Sequence, residues 1–217
     1  MKPLKIFIVF TLMILFFQYG YTQFEAGLIG GINRSGLSGD RPKNATYTTL
    51  VGAALGGLIE TKLTKDVRFG IQPMYLQRGS KIAYKIPNVR DPVDSLNFKI
   101  DYFTLPLIFK VYANNQKTYL LSGLDIGFPL SASIEKLDGS DKEDVLDRLK
   151  SLDVTVNFGF GVRFPINQLF LAFELRYIQG LLNLNDPVES GETPLDFSIR
   201  TTGFQLFSSI SLPLGKP

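Results

Sequence analysis

Three observations in this sequence predict an all-β fold: an eight-stranded antiparallel up-and-down transmembrane β-barrel with long extracellular loops and short periplasmic turns. Beyond residue 22, large apolar residues alternate with small or polar ones through about eight segments, the period of two expected of strands with two unlike faces. Tight connections at 63–66, 113–116 and 165–168 take turns with long polar loops near 35–47, 80–97, 135–151 and 182–198, the asymmetry of barrels that cross an outer membrane. The single long apolar run lies at the N-terminus and has the form of an export signal.

That run is the first element. Lys2 and Lys5 precede an almost wholly apolar stretch at 6–17, and 18–23 turns polar and small; these are the n-region, h-region and cleavage zone of a signal peptide. A spanning helix needs ~20 apolar residues, more than this stretch holds. The signal is read as 1–22, with cleavage near Thr22 or Gln23, leaving 23–217 as one barrel domain. Cleavage changes the charge argument. The full chain has 23 basic and 20 acidic side chains, and losing Lys2 and Lys5 brings the mature balance close to neutral. No basic run supports a nucleic-acid partner. Cysteine is absent, so the exported chain has no disulfide framework.

The strands follow in order at about 23–34, 48–62, 66–79, 98–112, 117–134, 152–165, 169–180 and 199–213. Most reach the ~9–11 tilted residues that cross a bilayer. Val67, Phe69, Ile71, Pro73 and Tyr75 oppose Arg68, Gly70, Gln72 and Arg78. Phe103, Leu105, Leu107, Phe109 and Val111 oppose Tyr102, Thr104, Pro106, Ile108 and Lys110. Val154, Val156, Phe158, Phe160, Val162 and Phe164 oppose Thr155, Asn157, Gly159, Gly161 and Arg163. Leu171, Phe173, Leu175 and Tyr177 oppose Ala172, Glu174 and Arg176.

A soluble, lipocalin-like barrel would turn the apolar face inward and the polar face to water. The polar faces oppose this. They are rich in Gly and Ala (Gly27, Gly52, Ala54, Gly56, Gly123, Gly127), with scattered charges of both signs, whereas water-facing strand positions favour larger polar residues. A narrow eight-stranded barrel has room inside only for packed side chains. The Phe, Leu and Val faces then meet the lipid of an outer membrane.

The segment Tyr102-Phe103-Thr104-Leu105-Pro106-Leu107-Ile108-Phe109-Lys110 resembles a conserved strand of the PorT-like outer-membrane β-barrel proteins of the Bacteroidetes. Gly30-Gly31-Ile32-Asn33, Gln72-Pro73-Met74-Tyr75-Leu76-Gln77-Arg78-Gly79, Leu121-Ser122-Gly123, Gly159-Phe160-Gly161, Leu175-Arg176-Tyr177 and Gly180-Leu181-Leu182-Asn183 fit the family in order. The resemblance covers nearly the whole mature chain, through motifs that are each short. It implies an eight-stranded barrel of a Gram-negative outer membrane, usually of unassigned activity, with one relative serving a secretion system. Thr104 and Gln72 stand where the family often carries acids. That leaves Lys110, Arg68 and Arg78 with fewer expected partners, and Glu60, Asp125, Asp153 and Glu174 as candidate acids. The expected lumen network, structural in role, is Glu60, Arg68, Arg78, Lys110, Asp125, Arg163, Glu174 and Arg176.

Histidine is absent along with cysteine, which removes Ser-His and Cys-His catalysis and the preferred ligands of zinc. No catalytic residue, cofactor or metal site is expected. Carboxylate chemistry remains conceivable, but Glu174 with Arg176 reads as a structural pair. The acidic stretch 138–144 lacks the spacing of a calcium loop and reads as a solvated loop. In 142–152, Val145, Leu146, Leu149 and Leu152 recur at helical spacing, and this stripe is expected to cap the barrel mouth. The expected function is non-enzymatic: an envelope scaffold or partner-binding barrel that meets an envelope or secretion-machine protein through its long loops, 80–97 and 135–151 above all. Small-solute transport is the alternative, opposed by the narrow lumen, since an aqueous channel takes about sixteen strands.

Overall fold

The computed structural model describes residues 24–39, 45–85, 93–136, 142–184 and 199–214. The signal peptide expected at 1–22 lies outside the described residues, as do 40–44, 86–92, 137–141 and 185–198 within the long loops.

The strands are β1 (Phe24–Gly39), β2 (Ala45–Lys62), β3 (Val67–Ile71), β4 (Met74–Lys85), β5 (Val93–Tyr112), β6 (Thr118–Lys136), β7 (Lys142–Asp144), β8 (Asp153–Ile166), β9 (Leu169–Gly180) and β10 (Ile199–Leu214). All pair antiparallel. The order β1–β2–β3/β4–β5–β6–β8–β9–β10 closes through a full-length ladder from Phe24↔Leu214 to Gly39↔Ile199. Closure leaves no open edge in the wall, which a sheet in hydrocarbon requires.

The eight segments expected from the sequence are the eight staves of this barrel. The third is broken into β3 and β4 at Gln72–Pro73, because proline has no N–H to give the ladder. Pro73 O instead accepts Gly57 N at 3.0 Å, and Gln72 N donates to Pro106 O at 3.0 Å. Two register shifts, at Thr49/Ala54 between β2 and β4 and at Asp101/Tyr102 between β5 and β6, mark bulges.

The loops differ from expectation. Pairing of β4 with β5 continues to Lys85↔Val93, so most of 80–97 extends the hairpin. Nor is 142–152 a helix. Lys142–Asp144 pairs with the upper end of β6 (Ser133↔Asp144, Glu135↔Lys142), and one 3-10 turn follows at Leu146–Arg148. An isolated helix this short is marginal, whereas β6 runs beyond the start of β8 and offers unpaired backbone groups. Edge pairing wins.

The phase is as the alternation predicts. Leu28, Leu55, Leu120, Phe158 and Phe160 face outward and are more than half exposed. In the register, Tyr75, Phe103 and Phe128 lie opposite one another, as do Phe158, Tyr177 and Phe204, forming aromatic rows on the outer wall. The inward face is fuller than expected. Beside the glycines it carries Ile29, Leu58, Met74, Leu76 and Phe207 on one wall, and Ile108, Tyr112, Tyr119 and Leu121 near the turn end. The lumen is a packed core.

Candidate functional site

The expected lumen residues all point inward, where they meet in three groups stacked from the turn end to the loop end. In the first, Arg163 Nη2 donates to both carboxylate oxygens of Glu25 (2.7 and 2.6 Å), and Arg68 donates to the same carboxylate. The Arg163 guanidinium lies 3.5 Å from the Phe170 ring centroid and that of Arg68 5.0 Å from Tyr112. In the second, Lys110 pairs with Glu60 and lies 2.7 Å from Glu174 Oε1. Tyr119 donates its hydroxyl to that oxygen at 2.7 Å, while Arg176 donates through Nε to Glu174 Oε2 (3.0 Å) and through Nη2 to Gln72 Oε1 (2.7 Å). In the third, Arg78 lies 2.9 Å from Asp153 and 3.6 Å from Asp125. Asn157 and Thr155 donate to Asp125, and Thr201 to Asp153.

The neutral side chains at Gln72 and Thr104 do not leave the cations unpartnered. Gln72 accepts from Arg176, and Thr104 turns its hydroxyl to Met74 O at 3.4 Å. Lys110, Arg68 and Arg78 each have at least one carboxylate. The acid that balances the first group, Glu25, is missing from the expected set. Its signal was its phase: it shares the inward face of β1 with Gly27, Ile29, Gly31 and Asn33. It lay within the first expected strand, at 23–34, but was not set among the lumen acids. With Glu25, the described lumen holds five cations (Arg68, Arg78, Lys110, Arg163, Arg176) and five carboxylates (Glu25, Glu60, Asp125, Asp153, Glu174). Charge matching of this kind is what lets ions persist away from water.

Above these groups the mouth is apolar. Val145, beside the 3-10 turn, and Leu184, just after the end of β9, insert among Leu37, Phe98, Ile100, Tyr102 and Ala132. Backbone bonds hold the two insertions. Val145 N donates to Ala132 O (3.0 Å), Lys150 N to Leu184 O (2.9 Å) and Leu184 N to Ile199 O (2.8 Å). A cavity of about 150 Å³ remains between Leu37, Phe98, Val145, Leu149 and Leu184. The capping role expected of 142–152 is therefore carried by one strand-like turn and not by a helix.

Chemically, each lumen carboxylate is engaged by a cation, and none faces a pocket with a second free carboxylate. Among the described residues no three His, Cys, Asp or Glu side chains converge as a metal site. The stretch 138–141 lies outside the described residues.

A closed antiparallel barrel with an apolar outer belt, aromatic rows and a charge-paired lumen defines an outer-membrane β-barrel protein. The chain belongs to the outer membrane protein beta-barrel domain family, whose model matches residues 16–186. No curated protein matches the sequence. Among solved structures, the chain is similar to neisserial surface protein A, at 14% identity over 88% of this chain and 97% of that one, with a TM-score of 0.48. It is also similar to the attachment invasion locus protein Ail of Yersinia pestis (12% identity, 87% and 98% coverage, TM-score 0.41) and to OprG of Pseudomonas aeruginosa (10% identity, 90% and 96%, TM-score 0.41). The protein resides in the outer membrane of a Gram-negative bacterium, its belt in lipid, its short turns periplasmic and its long loops outside.

Proposed function

We propose that this protein is a non-enzymatic, non-conducting barrel that serves the cell envelope as a scaffold, meeting a protein partner through its extracellular loops. The observation that carries this reading is the filled lumen: three charge-paired groups beneath an apolar plug. Solute transport would need that core displaced, and a soluble lipocalin-like role would leave the apolar belt in water. The absence of His and Cys and the engagement of every lumen carboxylate weigh against catalysis. Export by the 1–22 signal peptide and kinship with the PorT-like barrels of the Bacteroidetes, one of which serves a secretion system, belong to the same reading. A secretion or assembly machine is then the partner class.

The test is extraction in mild detergent followed by co-purification. The mature chain is expected in the detergent phase, migrating faster unheated than boiled, and its conductance in planar bilayers is expected at background. Reversing the exposed loop charges Lys142 and Arg148 should release the co-purifying partner from a folded barrel. These substitutions are preferred to deleting 138–149, which would also remove Val145 from the plug. Partner loss on neutralising Arg176 or Glu174, with the loop variant still bound, overturns the proposal in favour of a working interior.

A further inference from the structure

At the loop end the wall parts into two leaves. The β1–β2 ladder ends at Ser35↔Leu50; from there β1 continues its pairing with β10, to Gly39↔Ile199, and β2 its pairing with β4, to Ala45↔Tyr84. On the other side β10 leaves β9 at Thr202↔Gln179. One leaf is therefore β1 with β10, and the other is β2 with β4, β5, β6 and β7. Between them lies the cavity of about 150 Å³.

Leu37 and Ile199 line it from the first leaf, and Ile82, Phe98 and Ile134 from the second. Val145, Leu149 and Leu184 roof it, held by the backbone bonds from Val145 to Ala132, Lys150 to Leu184 and Leu184 to Ile199. Arg148 is the one polar side chain among the described lining residues, and Glu143 engages it at 2.6 Å. A buried water needs about two to four polar partners. None of the described buried side-chain polar atoms without a partner belongs to a residue lining this space, so water gains little there. Aliphatic and aromatic walls that face a gap forfeit dispersion contacts, which an apolar guest restores. An apolar cavity of about this size stays dry and takes up benzene.

We propose that this cavity is a binding site for one small apolar molecule, about the size of a single six-membered ring. A lipid acyl chain is too large for it. The roof stands between cavity and medium, which keeps out a side chain still attached to a partner protein. A free molecule can enter where the leaves part without breaking a strand pairing. The three charge groups beneath bar onward passage, so the site holds its guest and does not pass it on. Because the guest packs against both leaves and the roof, occupancy favours the docked loops. The site stands apart from the scaffold role, since it needs no protein partner.

The test uses the full mature chain in detergent micelles, with benzene as the probe and methyl NMR as the readout. Benzene is expected to shift the Leu37, Val145 and Leu184 methyl signals to saturation. Those of Leu28 and Leu55, on the outer belt, should only drift as benzene partitions into the micelle. Dodecane, too long for the cavity, should produce the drift alone. With benzene at about ten times its Kd, proteolysis within 142–152 should slow about tenfold, because cutting follows the open population. Val145→Phe places a ring in the cavity; it is expected to abolish the saturable shift and to resist the protease without benzene. Fast unheated migration reports that the variant is folded; if it is not, Leu149→Phe is measured with the same expectation. The proposal is overturned if the cavity methyls drift like those of Leu28 and Leu55, if dodecane saturates them equally, or if the folded variant binds benzene like the parent.

Discussion

Glu25 is the carboxylate on which the turn end of the lumen depends, since Arg163 and Arg68 both donate to it. Replacing it by Gln strands two cations in a space that cannot hydrate them. We expect Glu25→Gln to cost ~3–5 kcal/mol, read as a lower urea midpoint for loss of the fast-migrating band. Glu135→Gln, in an exposed pair, should leave that midpoint almost unmoved. Gly161 gives a second test at this scale. A Cβ there would stand 2.4 Å from Tyr119 Cζ, and that ring carries the hydroxyl that donates to Glu174. Gly161→Ala must push the ring off the second charge group, an overpacking cost of ~1–3 kcal/mol. Gly57→Ala meets only Gly27 O at 3.8 Å and should be nearly neutral in the same unfolding assay.

Among the elements, β8 shows the two-faced design most fully. Val154, Val156, Phe158, Phe160, Val162 and Phe164 form its outer row, while Asp153, Thr155, Asn157 and Arg163 are buried inside. Depth should govern the cost of a charge on the outer row. Arg in place of Phe160, mid-belt, is expected to cost ~2–4 kcal/mol, and in place of Leu152, beyond the strand's loop end, ~0–1 kcal/mol. Folded yield on titration into lipid vesicles reads the difference. Equal losses would mean that the belt lies elsewhere. The inner row is no refuge for a large cation: Asn157 is fully buried and bonded to Asp125, so an arginine there would displace the third charge group.

At the scale of the whole molecule, mouth and lumen are separate barriers. Val145→Asp places a carboxylate among Leu37, Phe98 and Leu184, where the cation that lines the same cavity, Arg148, is already paired with Glu143 and burial of a further charge is costly. The loops should undock, and limited proteolysis should cut within 142–152 faster than in the parent. Conductance should stay at background, because the charge groups below still fill the barrel. A pore-sized current from this variant would show that the plug alone closes the protein and would restore the transport reading.

The sequence by itself determined the outer membrane barrel: strand number, phase and the rim that carries the short turns. A period of two repeated along eight segments records which face meets lipid, and that information is local to each strand. It also marked Arg68, Arg78, Lys110, Arg163, Glu60, Asp125, Glu174 and Arg176 as inward. Pairing was decided only by tertiary structure, because ion partners such as Glu25 and Arg163 lie 138 residues apart and their meeting depends on closure and register. The same holds for 142–152, whose helical spacing lost to the unpaired upper edge of β6. It holds for Ile29, Ile108 and Ile178, which sit buried on the polar face although their own chemistry would suit lipid as well. Closing the ring decided them, since a narrow barrel must fill its own interior, and these side chains fill it.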